Sequence, residues 1–159
     1  MKTKTFLGKH FDKTGAEVSV YFADRVTQSP ALGLLFKTNA YLLDANLGPS
    51  MYYWDELDSC QVVWAEDDNE NVLSGIVFNF FKPWSASALL TAFSDPASRY
   101  RGISKICFSY YLEKSIESGA VRTMSITSIN NTDVIKSKDG EPVSYSGPKP
   151  TFIIFTEKI

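Results

Sequence analysis

The stretch from Gln61 to Phe93 constrains this chain more than any other. Gln61–Glu66 (QVVWAE) and Val72–Phe81 (VLSGIVFNFF) are rich in β-branched and aromatic residues, which favour a pleated, half-buried surface. The connection between them, Asp67–Asn71 (DDNEN), is too polar to be anything but exposed, so the pair reads as a β-hairpin. Pro83 breaks the chain, and Ser87–Phe93 supplies a third strand. A helix follows from Gly102 to about Ser118, where Ile103, Ile106, Cys107, Tyr110 and Tyr111 recur at helical spacing. Gly119 suits a left-handed stop to that helix. Val121–Ile129 (VRTMSITSI) then returns to strand.

The flanks extend this frame. Glu17–Ala23 alternates polar and apolar residues and reads as a first strand. Ser29-Pro30 is a helix start, with Ser as N-cap and Pro at the first helical position. Leu32, Leu35, Phe36, Ala40 and Leu43 lie on one face of that helix, which Gly48-Pro49 ends. Met51–Ser59 mixes Tyr52, Tyr53 and Trp54 with acids and reads as a short helix or loop. Asn130, Asn131 and Asp133 resemble the cap of a short helix ending near Gly140, and Thr151–Glu157 is a last β-rich run. No linker divides the 159 residues, so residues 1–159 are expected to form a single domain. The fold class is α/β, more narrowly an α+β mixed sheet with helices on its faces.

Composition narrows the function. The net charge is −2 and no run of Lys or Arg occurs, which argues against a nucleic-acid partner. No apolar run approaches a membrane span and no signal-peptide core is visible, so the expected location is cytoplasmic, with no membrane partner. Cys60 and Cys107 fall on different elements and read as reduced, buried thiols more readily than as a disulfide. With His10 as the single histidine, a zinc site is not expected.

The chemistry concentrates in the loop Arg99-Tyr100-Arg101-Gly102-Ile103-Ser104, where a helix begins. A helix start carries unpaired N–H groups and partial positive charge, and so accepts an anion such as a pyrophosphate. Gly102 lets a ligand approach the backbone, and Arg99, Arg101 and Lys105 add charge. By itself the loop reads more simply as an ordinary strand-to-helix turn with solvated arginines.

In its setting, Arg99-x-x-Gly102-x-Ser104 resembles motif A of the GNAT superfamily of N-acetyltransferases, Arg/Gln-x-x-Gly-x-Gly/Ala. Asp95-Pro96 upstream, the helix to Gly119, the strand before Asn130-Asn131 and the hairpin with Gly75 match the family layout, over roughly Gln61 to Asn131. Ser104 and Tyr100 depart from the family pattern, standing where Gly or Ala and Gly are usual. The resemblance implies a GNAT acyl-CoA N-acyltransferase-like fold with acetyl-CoA as cosubstrate and an amine of a small molecule or peptide as acceptor. It implies that the strands Ser87–Phe93 and Val121–Ile129 splay apart around pantetheine. Backbone groups of Ala92, Phe93 and Ser94 would pair with the pantetheine amides, and the amides of Arg101, Gly102, Ile103, Ser104 and Lys105 would hold the pyrophosphate. Asn131 matches a cofactor-contacting Asn, or is a helix N-cap.

Catalytic candidates are sparser. The family often protonates the leaving thiolate with a Tyr in the helix after the Asn, but Asn131–Asp139 contains none, and Tyr145 is the nearest substitute. Its other reading is a surface turn residue. Asp95 and Glu66 lie near strand ends as candidate bases, and both also read as solvated acids. His10 reads as a surface residue, Cys107 as core. Tyr52–Asp58 and the turn Phe80–Trp84 suit either an acceptor wall or a homodimer interface. A GNAT-fold binding or regulatory protein without transfer activity is the alternative that the missing Tyr and Ser104 motivate.

Overall fold

A computed structural model describes residues 3–44, 57–128, 141–145 and 152–159, with backbone only for residues 39–44, 126–128, 141–145 and 152–155. The strands are β1 (Thr5–Phe11), β2 (Glu17–Ala23), β3 (Gln61–Glu66), β4 (Val72–Phe81), β5 (Ala86–Ser94), β6 (Arg122–Ser128), β7 (Glu141–Tyr145) and β8 (Phe152–Lys158). The helices are α1 (Leu32–Asp44) and α2 (Ile103–Glu117). The strands form one sheet in the order β1-β2-β3-β4-β5-β6-β8-β7. Every neighbouring pair is antiparallel except β5 and β6, which α2 joins as a parallel crossover.

Strand alternation divides the core into two layers. Val18, Val20, Val63, Ala65, Ile76 and Phe78 face α2, and meet its stripe Ile103, Cys107, Tyr111. These three recur every four residues, and Ser115 continues the stripe. Val62, Trp64, Val77 and Phe93 face the other way, toward Leu35 of α1. A fully buried side chain of this size contributes roughly 1.5–3 kcal/mol. The Tyr111 hydroxyl donates to the Ser87 carbonyl at 3.0 Å, and the Tyr111 ring stands edge-on to Phe78 at 5.1 Å between centroids. The buried polar end therefore has its partner, as a buried Tyr requires.

The hairpin, β5, α2 and β6 stand where the periodicity predicts them. Gly119 closes α2 at φ 92°: its N–H bonds the Ile116 carbonyl and Ala120 bonds the Ser115 carbonyl, a Schellman stop. Three expectations change. The first strand is β1 rather than Glu17–Ala23; β1 is an edge strand, mostly exposed, and its register comes from β2. Ser29 does not cap α1, because its hydroxyl donates to the Val26 carbonyl and closes a preceding 3-10 turn. Glu141–Tyr145 is strand β7, not a turn; Pro142 is tolerated there because β7 lies on the outer edge of the sheet. The expected helix Asn131–Asp139 and residues 52–56 lie outside the described residues.

Gly75 in β4 is a packing requirement. A Cβ there would overlap the Phe93 ring and approach the Val63 carbonyl to 2.9 Å. Gly75→Ala should destabilise the fold by about 1–3 kcal/mol in denaturant titration. Phe93→Leu in the same chain should recover part of that loss, since the two residues share one space.

Candidate functional site

The site begins where the sheet comes apart. β5 and β6 pair only from Ala86 with Arg122 to Leu89 with Ser125. Beyond that, β6 continues along β8 alone. On the β4 side, Val77 pairs with Thr91 and Phe78 with Leu89, so Leu90 is an extra residue that turns β5. Among the described residues Leu90–Ser94 thus has β4 on one edge and no strand on the other. A backbone edge of this kind accepts an extended ligand as an added strand.

The loop after β5 is fastened at several points. The Asp95 N–H and the Ser98 hydroxyl both donate to the Leu73 carbonyl, at 2.8 and 2.9 Å. The Asp95 carboxylate accepts from the Ala97 N–H at 3.0 Å and caps the 3-10 turn Pro96–Ser98. Tyr100 adopts φ 66°, the left-handed conformation for which Gly is usual, with its ring 94% exposed. The cost of that conformation for a residue with a Cβ is of order 1–2 kcal/mol. Gly102 follows at φ 79° as the N-cap of α2. The N–H groups of Ile103, Ser104 and Lys105 have no acceptor among the described residues, and the first helical bond runs from Ile106 to Gly102.

Ser104 accommodates its departure from the family pattern by turning inward. Its hydroxyl lies 3.1 Å from those of Ser74 on β4 and Ser94 on β5, and Ser74 and Ser94 are 3.0 Å apart. The side chain is held against the strand ends, and the Ser104 amide keeps its place in the first turn.

The two loop arginines separate. Arg99, with Ala92, Phe93, Ser94 and Pro96, lines a cavity of about 410 Å³ to which α1 adds Lys37 and Thr38. Arg101 turns away and donates from Nε to Asp12 in the β1–β2 turn, while its carbonyl accepts from the Lys13 N–H at 2.9 Å. Asp12 also accepts from Thr14 and Ala16. The Thr14 hydroxyl bond, opposed by burial and reinforced by Arg101 and the two amides, pulls the Asp12 carboxyl down to about 2. Asp95 and Arg101 line a second cavity, about 530 Å³, beside Asp67 and Glu70.

The remaining candidates are placed as follows. Tyr145 belongs to β7, opposite Ile153 on β8, and Asn131 lies outside the described residues. Glu66 is not solvated: it is 1% exposed, paired with Lys4 at 2.9 Å and bonded by the Trp64 indole at 2.7 Å. Both bonds give it a structural task. His10 is not an isolated surface residue, since its Nε2 lies 2.6 Å from the Tyr110 hydroxyl. Gly8 leaves the space that this hydroxyl fills. Burial pushes the Cys107 thiol up to about 12, so it is a core thiol and not a nucleophile. Phe81 and Trp84 stand exposed at the β4–β5 turn with centroids 5.4 Å apart. Lys37 and Thr38 were not legible as site residues. The one available signal was a lone lysine inside an otherwise uncharged helical stretch.

No protein-family model and no curated sequence matches the chain. Solved structures do. An acetyltransferase of the GNAT family from Listeria monocytogenes is matched over 96% of this chain and 100% of its own, at 15% identity and TM-score 0.65. A GNAT family acetyltransferase from Elizabethkingia anophelis, with acetyl-CoA bound, is matched over 89% and 98%, at 15% identity and TM-score 0.60. Nourseothricin acetyltransferase is matched over 62% of this chain, which spans 65% of that protein, at 14% identity and TM-score 0.50. The mixed sheet with its helices has the fold of the GNAT acetyltransferases. Among the described residues no helix is long and apolar enough to cross a membrane.

The depressed Asp12 carboxyl has a consequence for stability. A lowered folded-state value stabilises the fold above the ordinary carboxylate range and is lost as pH falls toward about 2. Asp12→Asn should therefore melt below the unmodified chain at pH 7, and the gap should close in melts recorded between pH 4 and 2.

Proposed function

We propose that this chain is an acetyl-CoA-dependent N-acetyltransferase acting on an amine of a small molecule or peptide, within a single GNAT-like domain over residues 1–159. The observation that carries the reading is the early end of β5–β6 pairing, directly before a helix start with free N–H groups. The unpaired edge of Ala92, Phe93 and Ser94 suits the pantetheine amides. The amides of Gly102–Lys105 suit the pyrophosphate. Arg99 adds charge beside the strand edge, and Arg101 contributes its backbone while its side chain braces the loop against Asp12. Asn131 remains a proposed cofactor contact by its place in the motif.

In this reading the acceptor nitrogen attacks the thioester carbonyl carbon directly. The C–S bond breaks, the thiolate leaves with the CoA, and the nitrogen gives up its proton to a base. Asp95 is the proposed base and Tyr145 the proposed donor to the thiolate. The exposed Phe81–Trp84 pair supports either an acceptor wall or self-association as a homodimer. The buried cysteines Cys60 and Cys107, which form no disulfide, support a cytoplasmic location. The second reading, a binding protein without transfer activity, draws on Asp95, whose carboxylate already caps Ala97.

Calorimetric titration with acetyl-CoA, with desulfo-CoA and ADP as controls, tests the cofactor half. Saturable binding is expected, and Gly102→Leu should weaken it at least tenfold with the circular dichroism spectrum retained. Unchanged affinity in that folded variant overturns the loop assignment. Acetyl-CoA-dependent thiol release with an amine panel then separates the enzyme from the binding protein.

A further inference from the structure

Arg122 opens β6, and its Nε is buried with no hydrogen-bond partner, the one side-chain polar atom so placed among the described residues. A buried donor on a charged group is costly to leave unpaired. Its cross-strand partner on β8 is a second cation, Lys158, which is exposed. Like charges directly opposite one another on neighbouring strands destabilise a sheet. Among the described residues no carboxylate lies within ion-pair distance of either. A bound anion would offset both costs.

The register places this pair. Arg122 stands beside Ala86 of β5, and Met124 beside Ala88. Ser87 lies between the two alanines and points the other way, where its hydroxyl accepts from Ser115 of α2 at 2.7 Å. So α2 covers one face of β5 and β6, and Arg122 and Lys158 belong to the other. On their face Ala86, Ala88 and Met124 form an apolar cluster that reaches Leu90, where the two strands have parted. Arg122 precedes Ser125, the last paired residue of β6, by three positions, roughly 10 Å at the rise of a strand. It is level with the first residue of β5, whereas the start of α2 follows the last. A cofactor anion at that helix start therefore lies at the far end of β5 from Arg122.

Resting on the acetyl-transfer reading, we infer that Arg122 and Lys158 bind a carboxylate of the acceptor, which is an amino acid or a short peptide with its amine at the gap between β5 and β6. Because α2 closes one face, the amine reaches a thioester in the gap from the face of Arg122. The guanidinium fork matches a carboxylate in two places, and the Lys158 ammonium adds a point charge.

The test measures acetyl-CoA-dependent thiol release with β-alanine, γ-aminobutyrate and glycylglycine, each against its amide, and with butylamine. The chains are the unmodified one, Arg122→Gln and Lys158→Gln. For at least one pair kcat/KM should favour the acid about tenfold, the worth of one charge-assisted bond. Arg122→Gln should bring the acid-to-amide ratio close to one, and Lys158→Gln should lower it severalfold. Lys158→Gln should melt no lower than the unmodified chain, since it removes one of two opposed charges. A lower melting temperature makes the pair structural and overturns the inference. Equal turnover of acids and amides, transfer to butylamine alone, or a ratio that survives both substitutions overturns it while the transferase reading stands. A chain that binds acetyl-CoA and releases no thiol with any of these amines overturns it too, and one that binds no acetyl-CoA overturns both readings.

Discussion

Four residue pairs of parallel sheet, from Ala86–Arg122 to Leu89–Ser125, hold the two halves of this molecule in one sheet. Their early end is the constraint from which the site follows. Strands leave no backbone group unpaired in a core without cause, because each unpaired group loses about the worth of a hydrogen bond. Here the extra residue Leu90 turns β5 along its own course while β6 stays with β8. The gap exposes a strand edge in a place where a ligand can lie between the layers. Below the gap, Ser87 ties the parallel pair to α2 through Tyr111 and Ser115, so the strands part from a rigid root.

The loop above the gap is held by bonds from several elements. Leu73 at the start of β4 receives Asp95 and Ser98. The β1–β2 turn receives Arg101 through Asp12 and gives Lys13 in return. Ser74 and Ser94 receive Ser104. A loop ordered in this way, with Tyr100 kept at a left-handed φ, has lost its conformational freedom before any ligand arrives. Pre-ordering of this kind raises affinity by removing the ordering cost from the binding step.

Much of the frame was legible in the chain. The hairpin, β5, α2 with its Gly119 stop, β6 and β8 all follow from local periodicity, because each packs one regular face against a core. The loop Arg99-x-x-Gly102-x-Ser104 stood out by its resemblance to a family motif and not by periodicity; the structure adds that Gly102 takes φ 79° where α2 starts. The edge strands were not. TFLGKHF contains a Gly, two basic residues and no clean alternation, and Glu141–Tyr145 contains Pro142; both take their conformation from a neighbour. The status of single acids was illegible too. Glu66 and Asp95 look alike in sequence, yet Trp64 and Lys4 enclose one and the other caps a turn.

The sequence by itself determined the order of the central elements from β3 to β6 and the place of the helix start at Gly102. These depend on residues close together in the chain, whose spacing sets which face is buried. Only the tertiary structure decided which charges serve which purpose. It turned Arg101 to Asp12, 89 positions away, and Ser104 to Ser74, 30 positions away. It paired His10 with Tyr110 and brought Lys37 from α1 beside Arg99. Charged and hydroxyl groups act over a few ångströms through space, and the path of the chain between such groups leaves no periodic trace of who their partners will be.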